Sequence, residues 1–366
     1  MKYRILVLGA SYGSLLGTKL LMAGHRVCLV CTKPTAELIN REGTRVRFPI
    51  RGRESLLEIA SKRLPGVLSA SAPDAVDPDR FDLVVLGMQE AQYGSQGVRE
   101  LMRRIAMARK PCLAIMNMPP LPYLKRIPGL TTEPLEVCYA DPRVWDGFEP
   151  ALTTLASPDP QAFRPDQLKN VLQVGLPTNF KAARFEAEEP TALLRSLEAD
   201  IEGVRFHSGG GAIEIPVKLK VHESIFVPLA KWPMLMTGNY RCIRPNDMIP
   251  IKEAVHGDVD KSRKIYDWVS NLCTGLGAGA ADLVPFEKYA KAAESLGKPS
   301  SAARALFGGA EHIERVDSLV RRISRQLGSQ SDPLHEIVTL VDERLGRNRS
   351  AAERRLFASS SAPVMA

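Results

Sequence analysis

Close to its start the chain passes from an apolar run, Arg4-Ile5-Leu6-Val7-Leu8, straight into Gly9-Ala10-Ser11-Tyr12-Gly13-Ser14-Leu15-Leu16-Gly17. Leu20, Leu21 and Met22 continue at helical spacing, Gly24-His25 supplies a turn, and Val27-Cys28-Leu29-Val30 is a second apolar run. Strand, glycine turn, helix, strand is the opening βαβ unit of a dinucleotide-binding domain. Glycines in such a turn let backbone N–H groups approach a pyrophosphate, and the helix start beyond them carries unpaired N–H groups and a partial positive charge.

The turn departs from the full G-x-G-x-x-G pattern. Gly9 and Gly13 are separated by three residues, and Ser11 or Tyr12 stands near the place of the middle glycine. The candidate cofactor residues are therefore Gly9, Ala10, Ser11, Tyr12, Gly13 and Ser14. The competing reading is an ordinary strand–turn–helix in which Gly17 serves only packing. NAD-selective sites usually end the second strand with an acid that holds the ribose hydroxyls. Here the strand ends in Cys31-Thr32-Lys33, with no acid before Glu37. A hydroxyl and a cation suit a 2′-phosphate, so Thr32 and Lys33 favour NADP; the alternative for Lys33 is a solvated loop lysine.

A chain of 366 residues has room for two domains. Its 45% hydrophobic and 25% charged residues are those of a globular protein. No stretch reaches the ~20 apolar residues of a membrane span, and no signal peptide precedes the first strand. The six cysteines show no disulfide framework, which fits a reducing cytoplasm. Cys28 and Cys31 are formally C-x-x-C but lie along a strand, where residues three apart point to opposite faces. No metal set is expected. The net charge of +8 owes much to late arginines, from Arg321 to Arg355, placed as a solvated helix face without interleaved aromatics. Nucleic acid is not an expected partner; an anionic cofactor and substrate are.

Through the first half, strand and helix signals alternate. Asp82-Leu83-Val84-Val85-Leu86-Gly87-Met88 ends in Gln89-Glu90-Ala91-Gln92, and Cys112-Leu113-Ala114-Ile115-Met116 ends at Asn117. Ligands of open α/β sheets bind beyond the carboxyl ends of strands, so Gln89, Gln92 and Asn117 are candidates to line the cofactor cleft. Residues 131–207 are proline-rich and β-rich, with a strand at Leu172-Gln173-Val174-Gly175 and a short helix from Ala192 to Leu197. Ser208-Gly209-Gly210-Gly211 is the expected joint. After it helices dominate: Ile265, Trp268, Val269 and Leu272 form one stripe, Ile313, Val316, Val320 and Ile323 another, and Asp332-Pro333 opens a third helix. The expected division is a Rossmann domain at 1–207, a helical substrate and dimerisation domain at 208–357, and a disordered tail at 358–366.

This order resembles the ketopantoate reductase (2-dehydropantoate 2-reductase) family. The likeness covers most of the chain at low identity. It is carried by the βαβ unit, Asp82 to Gln92, Ile115-Met116-Asn117, the surroundings of Lys218, and Glu311-His312-Ile313-Glu314 with Val316-Asp317-Ser318, Arg321-Arg322 and Gly328. The resemblance implies an α/β fold with an N-terminal Rossmann domain on a parallel-rich twisted sheet, followed by an all-helical domain. It also implies a homodimer formed through the helical domain. By position, the family's catalytic lysine, in a helix just after the hinge, matches Lys218. Its nicotinamide-side asparagine matches Asn117, and its phosphate-reading basic residue matches Thr32 or Lys33. Three positions depart: a lysine after the fourth strand falls on Gln89, an asparagine one turn beyond the catalytic lysine on His222, and the substrate-binding glutamate on His312.

The activity so implied is reduction by NADPH of a 2-oxo acid or related small anionic carbonyl. Lys218 would protonate or neutralise the carbonyl oxygen, with Lys220 as the alternative register. His222, one helical turn later, would relay the proton or bind substrate. Asn117 and His312 would complete the substrate grip. Pro228 and Pro233 should kink or end the helix that starts near Ile215. Two other readings are a cofactor-binding sensor or interaction protein without turnover and an opine-type dehydrogenase.

Overall fold

The computed structural model describes residues 1–165, 168–209 and 211–360. The chain divides into two compact units, Met1–Ile127 with Asp141–Pro228, and Pro128–Ala140 with the chain from Leu229 onward.

The first unit is built on an eight-stranded sheet. Six strands are parallel, in the spatial order Val67–Ser71, Arg26–Val30, Arg4–Leu8, Leu83–Leu86, Cys112–Ile115, Thr153–Ser157. Central runs such as Leu83-Val84-Val85-Leu86 are buried throughout, as a parallel sheet covered on both faces requires. Phe180–Ala183 then joins antiparallel and Leu219–His222 closes the edge, parallel to it. Arg4–Leu8 pairs with Arg26–Val30 on one side and with Leu83–Leu86 on the other. The chain winds outward in both directions from that point, which makes it the topological switch of a doubly wound sheet.

A second sheet of four strands, Leu57–Ala60, Arg45–Phe48, Val171–Leu176 and Gln161–Phe163, belongs to the same unit. Only Val171–Leu176 was foreshadowed by the sequence. In Arg45-Val46-Arg47-Phe48 the alternation buries Val46 and Phe48 and leaves the arginines partly exposed. Helix Glu188–Gly203 extends well beyond the expected Ala192–Leu197; Glu188 and Glu189 in its first turn complement the helix dipole.

The helix expected near Ile215 is absent, which corrects the placement of Lys218 and His222. Phe206–Ser208 and Gly211–Ile213 pair as a small antiparallel hairpin, and Leu219–His222 is the edge strand of the main sheet. Apolar residues at Ile213, Ile215, Val217, Leu219 and Val221 recur every second position, a strand period. The expected joint at 208–211 therefore belongs to a hairpin (Gly210 lies outside the described residues), and the division between units falls after Pro228, not at 207.

The second unit is helical, with Lys231–Met234, Ile251–His256, Val259–Gly275, Phe286–Ala293, Ser301–Phe307, Val316–Gln326 and Asp332–Ser360. Ile265, Val269 and Leu272 are buried along Val259–Gly275, as their spacing requires. Pro233 sits in the first turn of its helix, where a missing N–H costs nothing. The helix continues as a π-turn, Leu235–Asn239, in which the Tyr240 N–H reaches back to the Leu235 carbonyl at 2.9 Å. Ile313 is buried but precedes Val316–Gln326 instead of opening it. The last helix runs to Ser360, into the segment expected as a disordered tail; 361–366 lie outside the described residues. Among the described residues no helix is long and apolar enough to cross a membrane.

Candidate nucleotide-binding site

Gly9 leaves the first strand with φ of 101°, a conformation that side chains strongly disfavour. Its N–H donates to the Val30 carbonyl at 3.0 Å, and the Gly87 N–H donates to the Leu8 carbonyl at 2.9 Å. The ends of the first, second and fourth parallel strands are thus knitted together around the turn. A Cβ on Gly9 would lie 2.8 Å from Met88 Cγ and 2.9 Å from the Gly87 oxygen. A Cβ on Gly13 would lie 2.6 Å from Val7 Cγ1, so this glycine sets the close approach of helix Tyr12–Met22 to its strand. Glycine is required here by contact, even though the middle glycine of the usual pattern is missing.

The other turn residues divide by role. Ala10 and Ser14 are buried, and the Ser14 hydroxyl donates to the Ala10 carbonyl, which locks the turn from inside. Ser11 and Tyr12 are partly exposed. The Tyr12 hydroxyl donates to the Pro160 carbonyl at 3.0 Å, tying the turn to the start of strand Gln161–Phe163. No acidic residue occupies the first turn of helix Tyr12–Met22. The Ser14 N–H is taken by the Ser11 carbonyl at 2.9 Å, and the positive end of the helix dipole, with no acid beside it, suits a phosphate.

At the end of the second strand, Thr32 is the N-cap residue of helix Lys33–Glu42, whose first turn also lacks an acid. The Thr32 and Thr35 hydroxyls are 3.0 Å apart, and Thr32 and Lys33 are exposed. Burial pushes the neighbouring Cys31 thiol up to about 11, so it stays uncharged at neutral pH. Beyond the fourth strand, Gln89 and Gln92 are exposed at the rim. Gln92 Oε1 accepts the Gln89 N–H at 3.1 Å, which gives Gln92 a capping role for the turn Glu90–Gly94. Met88 N–H donates to the buried Tyr93 hydroxyl at 3.1 Å. Asn117, partly exposed, follows the fifth parallel strand. Sequence reasoning overlooked Arg164, whose guanidinium is near enough to Cys31 to oppose the upward shift of its thiol. It sits far from the βαβ motif in sequence and reaches the site through the unforeseen small sheet.

Lys218 and His222 lie elsewhere in the first unit. Lys218 precedes the edge strand; its N–H donates to Asn179 Oδ1 at 2.8 Å and its ammonium lies 2.6 Å from Glu202 Oε1 and also against Glu214. Lys220 pairs with Glu202 at 2.7 Å. His222 ends the strand opposite Ala183. Hydrogen bonds to Glu202 and Glu214 raise the Lys218 pKa. The helical Lys218–His222 pair is not formed, because the period-two alternation makes Leu219–His222 a strand, with Lys218 just before it and His222 at its end. In the second unit His312 and Glu311 are exposed, ahead of helix Val316–Gln326. Asp317 is buried in a two-bond ion pair with Arg315, at 2.9 and 3.0 Å.

Comparison with solved structures agrees with the fold. A protein from Ralstonia solanacearum MolK2 assigned as a ketopantoate reductase superimposes with a TM-score of 0.66 at 14% identity, over 95% of this chain and 99% of that one. The ternary structure of D-mandelate dehydrogenase with NADH and anilino(oxo)acetate gives 0.62 at 14% identity, over 94% and 99%. A dimeric ketopantoate reductase from Staphylococcus aureus gives 0.58 at 9% identity, over 94% and 99%. The fold is that of the ketopantoate reductases. Neither a family model nor a curated protein matches the chain.

Proposed function

We propose that the chain is an NADPH-dependent reductase of a 2-oxo acid or related small anionic carbonyl, acting in the cytoplasm as a homodimer joined through its helical unit. One observation carries the cofactor reading. At the switch point of the sheet, Gly9 clears a cradle that a single Cβ would fill against Met88 and Gly87, beside a helix start free of acids. The fold agrees, since the mandelate dehydrogenase that shares it is described with NADH and an oxo-acid analogue. The dimer rests on the likeness to the dimeric reductase.

In this reading Gly9, Ser11 and Tyr12 border the pyrophosphate, Thr32 and Lys33 the adenosine 2′-phosphate, and Gln89, Gln92 and Asn117 the cleft toward the nicotinamide. When bound, NADPH supplies the hydride. The chain must stabilise charge on the carbonyl oxygen and deliver a proton. We assign that role to Lys231 in place of Lys218 or Lys220. Lys231 opens the first helix after the division at Pro228 and leads into the π-turn Leu235–Asn239. Interruptions of this kind frequently mark functional sites. His312, exposed on the second unit, is the candidate to grip the substrate's carboxylate. Fluorescence titration with NADPH tests the reading at its base: saturable binding that Gly9→Ala abolishes supports it, and no binding refutes it.

A further inference from the structure

We infer that Arg164 is a second cation for the 2′-phosphate of the dinucleotide, acting with Lys33 across the end of the second strand. The inference rests on the cofactor reading above and adds a residue that the βαβ motif does not contain.

The small sheet brings Arg164 there. Strand Gln161–Phe163 pairs antiparallel with Val171–Leu176, placing Phe163 opposite Gln173. Upstream, the Asp159 carboxylate is 3.4 Å from the Lys181 ammonium, and the Pro160 carbonyl accepts the Tyr12 hydroxyl. Those contacts fix the segment to the glycine turn at one end. Just past its other end, Arg164 is near enough to Cys31 for its charge to act on the thiol, and Cys31 directly precedes Thr32 and Lys33. Cys31 itself is held in line by its N–H bond to the Ser71 carbonyl at 3.1 Å. The position is therefore the carboxyl end of the second strand, where a dinucleotide's ribose is discriminated.

The chemistry suits a phosphomonoester. Arg164 and Lys33 are both exposed, and neither pairs with a carboxylate among the described residues. A planar guanidinium can bind two phosphate oxygens together, and the ammonium adds a point charge. The second strand's own end offers Lys33 alone; the small sheet supplies the fork.

The test uses the full chain and four probes: NADPH, NADH, 2′,5′-ADP and 5′-AMP. The native chain should bind NADPH over NADH and 2′,5′-ADP over 5′-AMP, each by at least tenfold. Arg164→Gln should weaken NADPH and 2′,5′-ADP by at least tenfold and change NADH and 5′-AMP less than twofold. Arg164→Lys, which keeps charge but not the fork, should lose part of the preference, and it decides the matter if the glutamine variant does not fold. Preferences that survive both substitutions overturn the inference and leave the cofactor site standing. Failure of the native chain to bind either dinucleotide overturns both.

Discussion

Lys218 Nζ lies 2.6 Å from Glu202 Oε1, and the other oxygen of that carboxylate is held by Lys220 at 2.7 Å. The two ammonium groups keep the Glu202 carboxyl down at about 2, and Lys218 is itself pushed up. This is an ion-pair network joining the edge strand to helix Glu188–Gly203, and in the reading proposed above its role is structural. Lys218→Ala should leave kcat within a few-fold of the native value and lower stability by about 1 kcal/mol, as for a partly screened pair. Lys231→Ala should lower kcat by roughly 10²–10⁴ with the NADPH dissociation constant nearly unchanged. Steady-state kinetics on both variants would show the reverse pattern if Lys218 were catalytic.

Gly9 gives a sharper structural prediction. Ala at a φ of 101°, with its methyl 2.9 Å from the Gly87 oxygen, must displace backbone. Gly9→Ala should cost about 1–3 kcal/mol of stability and abolish saturable NADPH binding. Gly129→Ala has no atom within 4 Å of the new methyl, although its φ is also positive, and it controls for backbone strain alone. A Gly9→Ala variant that binds NADPH normally would contradict the cradle.

Lys19 makes the folding stability respond to pH in an unusual direction. The residue is 1% exposed, donates to the Ile215 carbonyl at 2.9 Å, and is lowered from 10.5 to about 8. Burial is the main cause, followed by Lys218; Glu214 and Glu202 oppose the shift, and Arg205 assists it. Below pH 8 the folded and unfolded chains both carry the charge, and its burial weighs fully against folding. Between 8 and 10.5 the folded chain has shed the proton that the unfolded chain retains, so this group makes stability rise with pH. The rise is on the order of 3 kcal/mol at 1.36 kcal/mol per pKa unit. Urea unfolding of the native chain and Lys19→Met at the two ends of that window should show it in the difference between them. Lys218, with a raised pKa, loses its contribution only at higher pH. A constant difference would contradict the assignment.

Lys33 should set the sign of cofactor preference. It is exposed at the end of the second strand in a chain with no acid before Glu37. Lys33→Asp should narrow the NADPH preference by at least tenfold, because an acid there repels a 2′-phosphate and accepts from a 2′-hydroxyl. Paired titrations with NADPH and NADH measure it, and an unchanged ratio would show that Lys33 is only a solvated lysine.

The fold was legible where one local signal dominated. The apolar run from Ile5 to Leu8, its glycine turn and the run from Val27 to Val30 defined the core of the parallel sheet, and the stripe Ile265, Val269, Leu272 defined a buried helix. The segment around Lys218 was misread because the family resemblance placed a helix there, while the alternation from Ile213 to Val221 carried the opposite signal. Arg164 was invisible for another reason. Its approach to Cys31 depends on pairing between Gln161–Phe163 and Val171–Leu176, a contact with no local signature. The helix holding Lys231 is short and interrupted, so its period is too brief to detect.

The account is tested most directly by the absorbance of NADPH during incubation with the full chain and a panel of 2-oxo acids, ketopantoate and aryl oxo acids among them. At least one should be reduced with stoichiometric NADPH oxidation, in a reaction that Lys231→Ala suppresses and Lys218→Ala does not. Tight NADPH binding with no oxidation on any member of the panel would contradict the reductase and leave a cofactor-binding protein without turnover.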